Sequence, residues 1–335
     1  MGPVSGTVTA GRGTWRRCMS ASRPLHGVAR TALGVARMRA AESARPDRLF
    51  EDPYAQAFVA AGAQSQAAAI GEATADTSSS PQPEQGVPEP GSLRALMAYQ
   101  TVIRTRFYDD YLLDACDRGI RQIVLLAAGM DTRAYRLGWP VGLRLYEVDL
   151  PSVLEFKDDV MSGADAVTAC TRVSCPADLR EDWPSALTEA GFAPGEPTAW
   201  LAEGLLIYLT AEEAAELLTR IGDLSAPGSR LACERGDGID WLREQAKEVP
   251  ALSRAVGLWK GGLGDDTGGW LEGNGWSVEQ HDLSSLAESY GRTPPTASRS
   301  GFLVATREGD KPEESAVEVS GASDASAADE SNLPD

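Results

Sequence analysis

The segment from Arg121 to Leu154 reads RQIVLLAAGMDTRAYRLGWPVGLRLYEVDLPSVL and decides the fold. Ile123–Ala128 is a continuous apolar run without alternation, which predicts a parallel strand buried on both faces. Gly129 ends this strand, and a short helix is predicted to begin at Asp131. A second strand is predicted at Leu145–Val148. The segment therefore reads as strand, glycine turn, helix and strand.

Asp149 follows the second strand directly and puts a carboxylate at its carboxyl end. It lies 20 positions after Gly129, about the spacing at which a βαβ nucleotide site places an acid on ribose hydroxyls. A lone glycine between strand and helix is a weak signal, and no GxGxxG motif is present. On this evidence alone, a ligand site and a plain α/β turn are about equally supported.

Two more acids follow predicted strands. Asp178 lies just beyond a strand predicted at Val167–Cys175, and Glu203 directly follows one predicted at Thr198–Ala202. Because ligands of doubly wound sheets lie at the carboxyl ends of the strands, these acids and Asp149 are candidates to share one crevice. Taken singly, each is more often a helix cap or a solvated loop residue.

Helices and a closing pair of strands complete the predicted fold. Residues 28–44 and 92–116 carry apolar side chains at helical spacing, and a capping box at Thr210 predicts another helix start. The last two strands, at 276–281 and 301–306, are consistent with an antiparallel hairpin that closes a parallel sheet. The first helices are interpreted either as a packed N-terminal pair or as a lid over a pocket.

The chain is predicted to hold one folded region between two biased termini. Residues 1–27 are rich in Gly, Arg and Ser without periodicity, which predicts a disordered basic leader. Residues 308–335 carry nine acidic side chains and one lysine, which predicts a disordered acidic tail. Residues 61–92 are small, polar and proline-containing, typical of a flexible loop. The Gly-rich stretch 236–275, with three tryptophans, is interpreted as an insertion on the substrate side.

Composition limits the classes of partner. A net charge of −18 and a pI near 4.6 argue against nucleic-acid binding through a broad basic face. The five cysteines form no CxxC pair and only two histidines are present, so neither a zinc site nor a disulfide framework is predicted. A reducing cytoplasm is the simplest location for such a chain. No apolar run reaches the roughly 18 residues that a membrane helix needs.

A charge cluster precedes the first strand of the sheet. It consists of Arg104, Arg106, Asp109 and Asp110. Such a cluster is usually a solvated helix face with local ion pairs. The alternative is that one arginine points into the pocket and holds an anion, because a guanidinium grips a carboxylate through two parallel hydrogen bonds.

Six segments in chain order resemble bacterial S-adenosylmethionine-dependent methyltransferases of the leucine carboxyl methyltransferase / polyketide O-methyltransferase superfamily. They span about residues 30–306 and read ARPDRLFEDPY, VIRTRFYDDYL, VLLAAGMDTRAYRL, YEVDLPSVLEFK, PADLREDWP and AEGLLIYLT. The resemblance implies a class I methyltransferase (Rossmann-like) α/β sheet, mostly parallel with an antiparallel closing strand. It also implies an N-terminal helical extension over the site, and a methyltransferase domain at 28–307.

The resemblance further implies which residues bind S-adenosylmethionine. Asp149 would hold the ribose hydroxyls, and Gly129 would let the backbone approach the methionine part. Asp178 and Leu179 would lie at the adenine edge.

The same resemblance implies contacts to the amino group and the carboxylate at the methionine end of the cofactor. Glu203 would face the amino group. Arg106 would pair with the carboxylate, with Arg104 as the alternative register.

The implied reaction is in-line methyl transfer to a carboxyl or hydroxyl oxygen of a small molecule. It asks the protein mainly to align the reactants and to exclude water. A carboxylate acceptor needs no base, whereas a hydroxyl needs one, such as His281 or a carboxylate. No metal-ligand cluster is visible in the sequence.

Two other functions stay open. An NAD(P)-dependent oxidoreductase on a Rossmann sheet is disfavoured because GxGxxG and a Tyr-x-x-x-Lys dyad are both missing. A cofactor-binding protein without turnover is the weaker alternative.

Overall fold

The fold is built on one seven-stranded sheet. In the computed structural model, residues 29–73, 92–236, 243–244, 256–293 and 300–309 are described. The strands are β1 (Gln122–Leu126), β2 (Arg144–Asp149), β3 (Thr171–Pro176), β4 (Thr198–Ala202), β5 (Arg230–Glu234), β6 (Trp276–Asp282) and β7 (Gly301–Arg307). The predicted leader 1–27 and residues 310–335 of the predicted tail lie outside the described residues.

The strand order is β3-β2-β1-β4-β5-β7-β6. The strands from β3 to β5 pair in parallel, while β7 runs antiparallel to both β5 and β6. The order reverses between β1 and β4, and in doubly wound sheets such a switch point opens a crevice for ligands. The prediction of a mostly parallel α/β sheet with antiparallel closing strands is confirmed.

The helices cover both faces of the sheet. They are α1 (Ala29–Ser43), α2 (Ala55–Ala73), α3 (Leu93–Asp117), α4 (Arg133–Arg136), α5 (Pro151–Gly163), α6 (Trp183–Glu189), α7 (Ala211–Asp223), α8 (Thr267–Gly273) and α9 (Leu283–Ser289). Short 3₁₀ turns lie at Leu206–Tyr208 and Gly264–Asp266. No helix among these described residues is long and apolar enough to cross a membrane.

The core lies in two layers separated by the sheet. All five residues of β1 are buried, as the non-alternating apolar run predicts. Val124 and Leu126 pack on one face, where Trp183 and Trp200 meet edge to face with ring centroids 6.2 Å apart. Leu125 packs on the other face against residues of α3. The register of β1 is therefore fixed by burial on both sides.

The prediction of a loop at 61–92 is wrong in its first part. α2 continues to Ala73, so residues 61–73 are helical. The segment is rich in alanine and glutamine, which have high helix propensity, and its first proline comes only at Pro81. Its small side chains form no apolar stripe, so hydrophobic periodicity does not indicate the helix. Residues 74–91 lie outside the described residues.

The N-terminal helical extension is joined to the turn after β1 through the buried side chain of Arg39. Arg39 of α1 contacts Asp52 at 2.8 Å and also donates to the carbonyl oxygen of Met130, in the turn after β1. Phe58 of α2 is fully buried in the same cluster as Met130 and Phe156. The extension is therefore packed on the turn that follows the first strand.

The capping box predicted at Thr210 begins α7. Glu213 N donates to Thr210 Oγ1 at 3.2 Å, and Thr210 N donates to Glu213 Oε2 at 2.8 Å. Loss of the hydroxyl in Thr210→Ala should lower the free energy of unfolding by about 1 kcal/mol. Urea denaturation followed by circular dichroism measures this change.

Thr219→Ala on the same helix is the matched control for that substitution. Thr219 is exposed, and alanine has the higher helix propensity, so its stability should stay the same or rise slightly. Equal losses in both variants would contradict a specific capping role.

Candidate functional site

The carboxyl ends of the parallel strands open into a crevice of about 750 Å³. Small-molecule sites occupy roughly 300–1,000 Å³, so the crevice is large enough for a cofactor with a small substrate. Its walls come from the segments after the strands, from α1 and α3, and from residues 258–264. This is the position that ligands take in doubly wound sheets.

Most of the predicted site residues line this crevice. The structure brings together Gly129, Asp149, Asp178, Leu179 and Glu203. They follow β1, β2, β3 and β4, which are neighbours in the sheet, so their tips meet at one edge. The expectation that these acids share one crevice therefore agrees with the structure.

Arg106 does not line the crevice, so the structure does not support its assignment to the methionine carboxylate. Its Nε is 2.9 Å from Asp110 Oδ2, and its Nη1 donates to Leu49 O at 3.0 Å. Arg104, two positions earlier on α3, lines the crevice instead. Residues two apart on an α-helix are separated by about 200°, so only one of the two can face the site.

The turn after β1 is held to the tip of β2 through Asp149. Gly129 N donates to Asp149 Oδ2 and Leu150 N donates to Oδ1, both at 2.7 Å. Burial raises the pKa of Asp149, and these two N–H groups act against that rise. Each carboxylate oxygen has two lone pairs, so both can accept a further hydrogen bond from a ligand hydroxyl.

The same turn requires unusual backbone angles. Gly129 has φ of +49° and Ala127 has φ of +51°, a left-handed conformation that costs a non-glycine residue roughly 1–2 kcal/mol. A Cβ at Gly129 would lie 3.3 Å from the Cβ of Ala32 on α1. Glycine therefore provides both the conformation and the space for close approach, and backbone strain of this kind clusters at ligand sites.

A buried guanidinium organises the acids behind the crevice. Arg133 contacts Asp109 at 2.7 Å and Glu203 at 2.8 Å, and it also pairs with Asp131. Its side chain is 2% exposed, so these charges face each other with little water between them. Burial opposes ionisation of Glu203, but Arg133 and Arg104 outweigh it and lower the pKa of that carboxyl.

Arg104 joins two strand tips. Its Nε contacts Glu203 Oε1 at 2.9 Å, after β4, and its Nη1 contacts Glu234 Oε1 at 3.3 Å, at the end of β5. A Cβ at Gly204 would lie 3.4 Å from Arg104 Nη1, so a larger residue there would crowd the guanidinium. The crevice thus presents a carboxylate and a guanidinium side by side.

Helix α1 forms one wall of the crevice. Thr31, Ala32, Val35 and Met38 line it. Tyr208, on the 3₁₀ turn after β4, donates its hydroxyl to Thr31 Oγ1 at 3.3 Å. The N-terminal helices are therefore both a packed pair and a cover of the crevice, so the two interpretations are compatible.

The opposite wall includes part of the predicted substrate-side insertion. Lys260 N donates to Ile207 O at 2.8 Å and Gly262 N donates to Leu209 O at 2.9 Å, so this stretch is tied to the segment after β4. Trp259 lines the crevice. Residues 237–242 and 245–255 of the predicted insertion lie outside the described residues.

His281, named as a candidate base, is not among the residues that line the crevice. Its ring lies 5.0 Å from that of Phe107, and burial lowers its pKa. Among the described residues, no group of three or more His, Cys, Asp or Glu side chains is arranged to hold a metal ion.

Sequence reasoning missed Glu234 and Arg133. Glu234 ends β5 in the same way as Asp149 ends β2, so the rule of acids at strand ends is the signal that identifies it. Arg133 gave no such signal, because its partners come from α3, its own turn and β4 and meet only in the folded chain.

Comparison with known proteins finds a family and relatives that are all named as methyltransferases. Residues 32–222 match the model of the family described as leucine carboxyl methyltransferase. A relative from Frankia alni, named as an S-adenosyl-L-methionine-dependent methyltransferase, is 49% identical over 282 residues, covering 84% of this chain and 95% of its own. A relative from Streptomyces coelicolor with the same name is 46% identical, covering 81% and 90%.

A solved O-methyltransferase family protein from Burkholderia thailandensis is more distant. It aligns with 66% of this chain and 62% of its own at 16% identity and a TM-score of 0.42. At that distance the likeness carries no information on function.

The acids around Arg133 should make stability depend on pH. Burial opposes ionisation of Asp131, but Arg133, Lys157 and Arg39 outweigh it and lower its pKa to about 2, from 3.8. A lowered folded-state pKa stabilises the fold above the unfolded value, and this stability is lost as pH falls towards 2. Asp131→Asn should therefore lower the free energy of unfolding by about 2 kcal/mol or more at pH 7. This difference from the parent protein should become smaller between pH 4 and pH 2.

Urea denaturation at pH 7, 4 and 3 measures this dependence. Asp117→Asn, at an exposed carboxylate at the end of α3, should match the parent protein at each pH. A stability difference for Asp131→Asn that stays constant with pH would exclude the linkage.

Proposed function

Because the chain belongs to the leucine carboxyl methyltransferase family and is an S-adenosylmethionine-dependent methyltransferase, we propose that it O-methylates a carboxyl or hydroxyl of a small molecule. The family match covers residues 32–222, and relatives up to 49% identical carry the name of such methyltransferases. The NAD(P)-dependent alternative is not favoured, since nothing in these comparisons points to a nicotinamide enzyme. Methyl transfer is the activity on which the roles below rest.

The observation that carries the proposed binding mode is the contact between Gly129 N and Asp149 Oδ2 at 2.7 Å. It fixes a carboxylate at the tip of β2 beside a glycine turn that has no side chain to fill the space. We assign Asp149 to the ribose hydroxyls and Gly129 to close approach of the methionine part. This is the arrangement by which βαβ units bind ribose and let a ligand reach the backbone.

The other end of the cofactor is an amino acid with an ammonium and a carboxylate. Glu203 and Arg104 offer one group of each sign, 2.9 Å apart, inside the crevice. We assign Glu203 to the amino group and Arg104, in place of Arg106, to the carboxylate. The chemistry of this donor set fits the zwitterion, because each charged group of the ligand finds its opposite.

Asp178 and Leu179 are assigned to the adenine edge. Leu179 is partly buried against the apolar core and lines the crevice, which suits the face of a base. Asp178 is held by Arg180, whose Nε is 2.9 Å from its Oδ1, and this hydrogen bond lowers the pKa of the carboxyl. An ionised Asp178 is a hydrogen-bond acceptor only, as an exocyclic amine requires.

S-adenosylmethionine supplies an activated methyl group on a positively charged sulfur. The chain then has to hold the acceptor oxygen in line with that methyl and keep water out. Helix α1 covers the crevice and keeps water out. It is held there by the hydrogen bond from the Tyr208 hydroxyl to Thr31. Such positioning can contribute roughly 7–11 kcal/mol to the lowering of the barrier.

The proposed acceptor is a small molecule, and no nucleic-acid partner is proposed. The crevice is bounded by α1 and by residues 258–264, and the chain carries a net charge of −18, which repels phosphate backbones. We further propose a reducing, cytoplasmic location. It is supported by four free cysteines among the described residues: Cys116, Cys170, Cys175 and Cys233.

The assignment of Asp149 predicts a loss of cofactor affinity in Asp149→Ala. Two hydrogen bonds to an ionised group are worth about 1.5 kcal/mol each, so the dissociation constant for S-adenosylmethionine should rise roughly 100-fold. Isothermal titration calorimetry with S-adenosylmethionine and with NADH measures it. The control Asp117→Ala should bind S-adenosylmethionine like the parent protein. If the parent protein released heat only with NADH, the proposed function would be refuted.

Arg104 and Arg106 form a natural pair for testing the carboxylate contact. Arg104→Met should weaken S-adenosylmethionine binding at least about tenfold, because it removes a charge-assisted bond inside the crevice. Arg106→Met removes a half-buried pair with Asp110 that lies outside the crevice, and it should leave binding unchanged. Thermal unfolding of both variants checks that the fold persists, and a reversed order of affinities would exclude Arg104.

A further inference from the structure

The tips of the parallel strands form a row with one position that the proposed function leaves without a task. In sheet order the crevice residues are Asp178, Asp149, Gly129, Glu203 and Glu234, after β3, β2, β1, β4 and β5. Adjacent strands lie about 4.8 Å apart, so the row runs steadily from one side to the other. The adenine, ribose and amino acid are assigned to the first four tips. The acceptor therefore belongs next to the fifth, at β5.

Glu234 faces this end of the crevice in a well-defined way. Its Oε1 accepts from Gly204 N at 2.7 Å and from Arg104 Nη1 at 3.3 Å. Its side chain is 18% exposed and lines the crevice. Both of these contacts to other residues are made by Oε1 and not by Oε2. One carboxylate oxygen is thus fixed, and the other is available to a ligand.

The wall beside Glu234 is apolar and aromatic. The segment 258–264 approaches the end of β5 closely, since a Cβ at Gly236 would lie 2.3 Å from Gly264 O. Tyr208 and Trp259 line the crevice, together with Ile207, Leu258 and Leu263. Such a surface binds a flat apolar molecule through burial of its area.

The cations at this end are already paired with acids. Lys260 Nζ contacts Glu213 at 2.8 Å, and Arg235 Nη1 lies 3.4 Å from Asp282 Oδ1. Arg104 contacts both Glu203 and Glu234 and is assigned to the carboxylate of the cofactor, so it is not left for the acceptor. A carboxylate acceptor would therefore meet the charge of Glu234 without a cation to hold it. A neutral hydroxyl meets no such repulsion.

We propose that the acceptor is an aromatic hydroxyl compound and that Glu234 is its general base. This inference rests on the proposed methyltransferase function. The acceptor O–H bond breaks and its proton passes to the Glu234 carboxylate. The oxygen forms a bond to the methyl carbon, while the S–CH₃ bond breaks and its electron pair stays on sulfur, leaving a neutral thioether.

The position of Glu234 also suits the strength that a base needs. Burial raises the pKa of Glu234, with Arg104 acting against the rise and Glu203 adding to it. A carboxylate with a raised pKa takes a proton more readily, which brings a general base closer to the working pH. Activity on a neutral phenol should accordingly fall as the pH drops through that pKa.

The test uses Glu234→Gln with three acceptor probes: 4-methylphenol, 4-nitrophenol and benzoate. Glutamine keeps an oxygen for Gly204 N but cannot take a proton at neutral pH. The parent protein should methylate 4-methylphenol readily, 4-nitrophenol only weakly because its anion meets the charge of Glu234, and benzoate not at all. The variant should lose 10²–10⁴-fold on 4-methylphenol, roughly the contribution of a general base. It should keep or gain activity on 4-nitrophenol, which is already largely ionised at pH 8 and no longer meets a negative charge at position 234.

Calorimetry separates this proposal from the proposed function. Glu234→Gln should bind S-adenosylmethionine within a few-fold of the parent protein, and Glu189→Gln, at an exposed position on α6, should match it in every assay. Absence of S-adenosylmethionine binding to the parent protein refutes the proposed function itself.

Three outcomes with normal cofactor binding overturn the assignment of Glu234. Methylation of benzoate alone would show a carboxyl acceptor. Equal losses on the two phenols would show that Glu234 positions the substrate without taking its proton. Transfer to none of the probes by the parent protein would exclude a small aromatic hydroxyl acceptor.

Discussion

A single buried guanidinium holds the crevice in its shape. Arg133 is 2% exposed and contacts carboxylates from three parts of the chain: Asp109 on α3, Asp131 in its own turn, and Glu203 after β4. Three acids brought together without a cation would repel each other, and an unpaired guanidinium in the core would cost several kcal/mol. Neither side can be removed alone. The ion pairs therefore tie α3, the turn after β1 and the segment after β4 into one arrangement.

Much of the fold was predictable because burial leaves a local pattern. The run around Val124 has no polar position, so only a strand covered on both faces accommodates it. The capping box at Thr210 specifies a helix start within four residues. Asp149 could be identified because it directly follows a strand, and parallel strands bring their ends to one edge. In each case, the information lies within a few neighbouring residues.

The remainder depends on contacts between distant parts of the chain. Arg104 and Arg106 are the same residue type two positions apart on α3. Only the rotation of α3 against β4 and β5 decides which one faces the crevice. The helix at residues 61–73 has no apolar stripe, so helix propensity is the signal that its sequence offers. Arg133 belongs to no sequence motif, since its partners lie up to 70 positions away from it along the chain. These features are properties of the packed structure.

The acids of the crevice show how neighbours give one residue type different roles. Arg180 lowers the pKa of Asp178, and the two arginines beside Glu203 lower its pKa despite burial, so both are held as anions. The pKa values of Asp149 and Glu234 are raised, because the effect of burial is larger than that of their hydrogen-bond and charge partners. A carboxylate that stays ionised suits the binding of a hydrogen-bond donor or a cation. A carboxyl group with a raised pKa can in addition exchange a proton. Since the sheet places all four acids in one row, the balance between burial and the neighbouring arginines sets which of these carboxylates stay ionised.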